Sequence, residues 1–288
     1  MKRIYQTLLA ATITVAAPLA FAPLAQANNF NDASLPVYSE FTIDGITAKV
    51  TKGINLANNT NGSLGAFSDF YYNEGIVNID FNDSSLRQAV AGKDNTYTFG
   101  NESVLFTFDQ ALGVNKTNIK IDKWAPTGAN AEKNTSQYLA VFQGNSVTVD
   151  LTNKLNYFGM NWGALSPENK FEFFQVDEQG IETSLGLFDY NNVFSSSNSK
   201  LPTKAAHHNN EYNGYVHFYA NQEKGLFNRI KITQAGGGGF ETDNYSLRFS
   251  KQSFDFEEGT DKAQTPEPGI LLGLVTLSGM VARRRLMA

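Results

Sequence analysis

The chain of 288 residues contains no cysteine. That excludes disulfides, thiolate metal sites, cysteine nucleophiles and a lipid-modified N-terminal cysteine, so burial alone must hold the fold together. Histidine is nearly as scarce. His207, His208 and His217 are the only three, and none lies in a G-x-S-x-G or H-E-x-x-H context, so the serine-triad and zincin readings fail. Adjacent residues on an extended chain point apart, which argues against a His207–His208 metal pair. Charged residues make up only 18% of the chain, and a net charge of -5 leaves no basic footprint for nucleic acid. Helical periodicity is weak, and neither βαβ alternation nor a fixed-period repeat is visible, which argues against α/β folds, solenoids and propellers.

Aromatic residues, by contrast, are plentiful, with 22 Phe and 12 Tyr. Short apolar and aromatic runs punctuated by Gly, Asn, Asp and Ser predict strands at 41–51, 75–81, 97–107, 119–123, 138–142, 146–151, 157–162, 170–176, 184–188, 214–219, 229–234 and 245–250. Val147-Thr148-Val149-Asp150-Leu151 and Ile119-Lys120-Ile121-Asp122 alternate cleanly. Segments 55–63, 127–136 and 195–210 read as surface loops, and 84–90 as a helical turn capped by Asp83 or Ser84. The expected fold is an all-β, antiparallel, jelly-roll-like β-sandwich over residues 28–264, about 235 residues and enough for one large domain.

The two ends read as targeting segments. Met1-Lys2-Arg3 is a basic n-region, residues 4–21 are apolar and uncharged, and Ala25-Gln26-Ala27 presents small residues to signal peptidase. Residues 1–27 are therefore expected to be a signal peptide cleaved after Ala27. At the other end, 265–288, Pro266-Glu267-Pro268 precedes an uncharged run from Gly269 to Ala282 and then Arg283-Arg284-Arg285. As a helix that run spans roughly 21 Å, a short transmembrane segment against a hydrocarbon core of roughly 30 Å. The positive-inside rule places the arginines in the cytoplasm and the domain outside.

The Pro-Glu-Pro, apolar run and arginine cluster resemble the PEP-CTERM sorting signal of bacterial surface proteins. Three strings in the domain are similar to those of cyanobacterial exosortase-dependent surface proteins: Asp80-Phe81-Asn82; Tyr157 to Gly163 with Asn169; and Phe227 to Ile230 leading to Gly239–Asn244. The resemblance implies a sandwich followed by a tail that a membrane exosortase recognises and removes. The domain would pass from an inner-membrane-tethered intermediate to the cell surface or extracellular matrix. The competing reading of the tail is a permanent anchor.

Chemistry is harder to find. Glu172, Asp177, Glu182 and Asp189 fall on or near strands, but no spacing gathers them as a glycosidase pair. Calcium is the cation best suited to the oxygen-bearing side chains, with Asp80, Asn82, Glu241, Asp243 and Asn244 as candidate ligands. The alternative is that Asp243-Asn244 forms an Asx turn after the Gly236–Gly239 run. Tyr157 and Trp162 are candidates for stacking on sugar rings. Strand alternation instead puts Phe158, Met160 and Trp162 on a core face and Tyr157, Asn161 and Gly163 on the other. The expected role is a non-enzymatic exported surface or matrix protein that binds exopolysaccharide; the alternatives are a secreted carbohydrate-binding module or a glycoside hydrolase-like enzyme.

Overall fold

The computed structural model describes residues 37–59, 61–82, 96–99, 103–109, 118–194, 203–205, 208 and 211–263. Ala25 and Ala27, the turn expected at 84–90, His207, and the tail with Pro266, Glu267, Pro268, Arg283, Arg284 and Arg285 lie outside the described residues. No helix among the described residues is long and apolar enough to cross a membrane.

The described chain is mostly strand, in one large antiparallel sheet folded on itself until it nearly closes. The organising element is β8 (Ser146–Gly163), which serves both halves of the sheet. Its first half lies between β5 (Val104–Phe108) and β13 (Phe227–Gln234), and its second half between β12 (Tyr212–Ala220) and β14 (Gly239–Phe249). Beyond β13 come β9 (Asn169–Val176) and β10 (Glu182–Asp189), and beyond β5 lies β4 (Thr96–Phe99). Beyond β12 come β2 (Ile46–Thr51) and β1 (Ser39–Ile43), and the two-residue β11 (Thr203–Lys204) pairs with the start of β12. β14 pairs at its start with β7 (Tyr138–Phe142), which carries β6 (Asn118–Lys120), and at its end with β3 (Ile76–Ile79).

The fold-over buries an aromatic core. Phe173 on β9 meets Phe218 on β12 at 4.8 Å although these strands are not neighbours, and Trp162 meets Phe171 at 4.9 Å. Val147 and Val149 from the first half of β8 join Phe158, Met160 and Trp162 from the second. The inward positions thus switch from odd to even along one strand. The switch falls at Thr152–Lys154, which are exposed: the pairing with β13 runs from Leu155↔Phe227 directly to Asp150↔Arg229. Extra residues on one strand rotate every following side chain to the opposite face. The two strands expected at 146–151 and 157–162 are therefore one strand with an irregular join.

The strand expected at 41–51 is instead the hairpin β1–β2. It turns at Asp44-Gly45, with φ of 45° and 89°, the Asp-Gly signature of a tight antiparallel turn. A further departure concerns the outer face of β8. The described residues 55–59, 61–63 and 127–136 are loop, but they pack onto the sheet, burying Asn59, Thr127, Asn134 and Ser136. A small hairpin of β15 (Phe254–Asp255) and β16 (Thr260–Asp261) supplies Phe254 and Phe256 beside Tyr157 and Tyr219. Both faces of the second half of β8 are consequently buried, and Tyr157 and Asn161 are as inaccessible as Trp162.

Candidate functional site

Beneath the covering loops lies a buried polar layer centred on Asp243. β14 carries a bulge here: its pairing with β8 shifts between Asp243 and Ser246, and Asn244 takes a left-handed φ of 50°. Asparagine is among the few residues that tolerate this conformation, and the bulge turns Tyr245 and Leu247 inward after Phe240. The Asn244 amide donates to Asp243 Oδ1 at 2.8 Å, while Asn134 Nδ2 donates to Oδ2 at 3.0 Å. Two carboxamides of the sheet staple the loops to it, Asn161 donating to the Thr127 carbonyl and Asn244 to those of Leu64 and Ala66, while Asn134 ties its own loop by donating to the Pro126 carbonyl. Burial pushes the Asp243 carboxyl up to about 8, so it holds a proton at neutral pH.

Gly65 closes this layer. Its φ is +78°, and a β-carbon there would stand 2.8–3.1 Å from the side-chain nitrogens of Asn134, Asn244 and Asn161. Gly65→Ala is therefore expected to destabilise the fold by about 1–3 kcal/mol, measured by urea unfolding. A loss under about 0.5 kcal/mol, within the usual range of surface substitutions, would show that the stapled loop yields freely.

The calcium candidates are not gathered into one ligand set. Asp80 and Asn82 are exposed, Asn82 Oδ1 accepts from the Gln137 amide, and Asp243 and Asn244 are engaged with each other and with the loops. No three His, Asp or Glu side chains among the described residues are placed to hold a metal ion. The sugar-stacking expectation for Tyr157 and Trp162 does not fit this geometry either, since both are 0% exposed. Tyr157 Oη shares hydrogen bonds with Ser68 Oγ (2.7 Å) and His217 Nδ1 (2.8 Å), and His217 Nε2 lies 3.1 Å from Asp69 Oδ2. This string has the residue types of a nucleophilic relay but is wholly enclosed, so it acts as a core network.

The strand carboxylates have structural partners. Glu182 and Asp150 both pair with Arg229, Glu172 accepts from Ser184, and Asp177 accepts the amides of its own turn. Asp189 caps the short helix α1 (Tyr190–Val193).

An open site lies elsewhere, where the β13–β14 connection meets the end of β8. A relay of polar groups fixes it. The Trp162 indole donates to Asn169 Oδ1 (2.9 Å), Asn169 Nδ2 donates to Gln234 Oε1 (3.3 Å), and Gln234 Nε2 donates to the Gly237 and Gly239 carbonyls (both 3.1 Å). The glycine turn so held forms one wall of a cleft of about 400 Å³, with Trp124, Phe142, Glu168, Glu211 and Glu241 on its other sides. Glu241 is 5% exposed, and its Oε2 has no hydrogen-bond partner among the described residues. Burial, and then the nearby Glu211 charge, push its carboxyl up to about 8; burial also raises Glu211. Sequence reasoning named only Glu241 of these groups, for calcium. Trp124, Glu168 and Glu211 sit in or beside irregular segments, and only the Gly236–Gly239 run hinted at a shaped turn.

No known protein-family model matches the chain, and no curated protein matches it. The fold and the site define it as an all-β protein with an acidic, aromatic-lined cleft among its described residues.

Proposed function

We propose that this is a non-enzymatic surface or extracellular-matrix protein whose sandwich, jelly-roll-like in form, binds a polysaccharide in the Trp124–Glu241 cleft. The observation that carries the reading is the meeting of two partly exposed aromatic rings, Trp124 and Phe142, with three glutamates in a rigidly held cleft. Aromatic faces take the C–H side of a sugar ring, while convergent polar groups fix its hydroxyls. Trp124→Ala is expected to weaken retention on the bound polysaccharide at least tenfold, about 1.4 kcal/mol, with the circular dichroism spectrum unchanged. Failure of the native protein to bind any polysaccharide in a pull-down panel would sink this reading.

The addressing rests on the two terminal sequences. Signal peptidase removes residues 1–27, and an exosortase processes the tail carrying Pro266-Glu267-Pro268 and Arg283–Arg285 after a membrane-tethered stage. Mass spectrometry of protein recovered from cells and medium tests this. A mature chain starting at Asn28 and ending before Gly269 is the expected product; a membrane form retaining Arg285 would mean a permanent anchor.

One observation favours a second reading, a glycoside hydrolase: Glu241 and Glu211 line the same cleft, and burial with the Glu211 charge pushes the Glu241 carboxyl up to about 8, in the direction that the acid of such a pair needs. Release of reducing ends by the native protein, abolished in Glu241→Gln, would establish hydrolysis over binding.

A further inference from the structure

Resting on the saccharide-binding reading, we infer that the cleft selects an amine-bearing, cationic saccharide, of the kind built from glucosamine units with free amino groups, over neutral or uronic-acid polymers. The lining is one-sided in charge: Glu168, Glu211 and Glu241 face the space, and no lysine or arginine among the described residues lines it. Glu241 is the built element. Its buried Oε2 lacks a partner, and a buried acceptor without a donor is costly unless a ligand or water supplies one. An ammonium group at Oε2 supplies hydrogen-bond donors together with a charge that offsets the burial of Glu241, so the carboxyl gives up its proton to solvent on binding and the bonds formed are of the stronger, charge-assisted kind.

The aromatic rings suit the same ligand. Phe142 already carries the Lys120 ammonium 4.2 Å from its centroid, and Trp124 carries that of Lys123 at 4.6 Å, so both rings sit in cation–π contacts. Both lysines lie against rings of the lining, and Lys120 is close enough to Glu241 to act on its carboxyl. Set against them are the carboxylates Glu168, Glu211 and Asp122, the last accepting from Tyr138 Oη and the Trp124 amide, with the buried Glu241 adding its charge when a cation binds. The balance of formal charge around the cleft stays negative, which repels a uronate and draws in an amine.

The test uses the full-length protein and three hexasaccharide probes at about pH 6.5, where a glucosamine amine is largely protonated: glucosamine hexamer, N-acetylglucosamine hexamer and galacturonate hexamer. Calorimetry is expected to give at least tenfold tighter binding to the glucosamine hexamer than to the acetylated one. Affinity should fall several-fold between about 50 and 300 mM salt, as screening requires. Glu211→Gln, at an exposed position, should weaken the amine probe more than the acetylated one, cutting the ratio of the two affinities at least fivefold. Equal binding of acetylated and free-amine probes, or preference for galacturonate, overturns the amine selection and leaves saccharide binding intact. Should none of the three probes bind while another polysaccharide does in the pull-down panel, the amine selection alone falls; should nothing bind anywhere, both readings fall.

Discussion

Trp162→Ala is expected to lower the free energy of unfolding by about 3–5 kcal/mol, the range for truncating a large buried aromatic. The ring is 0% exposed and packs against Phe171 at 4.9 Å, Phe240 at 5.4 Å and Phe194 at 5.8 Å, so its removal opens a cavity where both halves of the sheet meet. Trp162→Phe separates packing from hydrogen bonding. It keeps most of the ring contacts but removes the indole N–H that heads the relay through Asn169 and Gln234 to the glycine turn. Its expected loss is about 1–2 kcal/mol, together with a several-fold weaker grip on any cleft ligand, because the turn carrying the cleft wall is less firmly held. Urea unfolding and ligand titration on the same two variants check both parts. A Trp162→Ala protein within about 1 kcal/mol of the native stability would contradict a closely packed core at this position.

The all-β architecture was legible because strand alternation is a local property of the sequence. The runs at 138–142, 170–176 and 229–234 coincide closely with observed strands, and Phe158, Met160 and Trp162 do face the core. What the pattern hid was long-range. Alternation says which side chains share a face but not what lies over that face, so Tyr157 and Asn161 could be assigned only to the face opposite Trp162, and the burial of that face under the loops with Asn59 and Asn134 and the β15–β16 hairpin stayed hidden. The bulge at Asn244 and the irregular join at Thr152–Lys154 were hidden for the same reason: each is defined by the register of a partner strand, not by its own residues. The cleft is the extreme case. Trp124, Glu168, Glu211 and Glu241 come from four separate stretches of chain that only the folded sheet brings together. By contrast, the Asp44-Gly45 turn was available to sequence reasoning, since Asp-Gly between apolar runs is a strong hairpin signal.

Stability should fall as pH rises from about 4 to about 8, the opposite of the usual acid sensitivity. In the unfolded chain Asp243 and Glu241 release their protons near their ordinary values of 3.8 and 4.5; in the native fold burial holds both up to about 8. Across that window the folded state binds more protons than the unfolded one, so each step up in pH favours unfolding. Every tenfold difference in proton affinity between the two states is worth about 1.4 kcal/mol, and the two carboxyls together make an effect of several kcal/mol. Asp261, held below its usual range by Arg248 and Asn156 despite partial burial, works in the other direction only at the acid end. The optimum should therefore lie near pH 4–5. The contacts of Asp243 pull against burial: the Asn244 amide, Asn134 Nδ2 and Ser136 Oγ (3.3 Å) all donate to its carboxyl and favour the ionised form, and burial outweighs them. Asp243→Asn cannot reproduce this arrangement, because an amide nitrogen placed towards Ser136 also faces the donating Asn134 Nδ2. The variant is expected to be about 1–2 kcal/mol less stable than the native protein at pH 5 and, having lost its share of the pH slope, to equal or exceed it at pH 8. Urea unfolding of both proteins at about pH 5, 6.5 and 8 measures the two slopes. Parallel lines would mean that Asp243 is ionised in the fold and that its partners, not a proton, neutralise it.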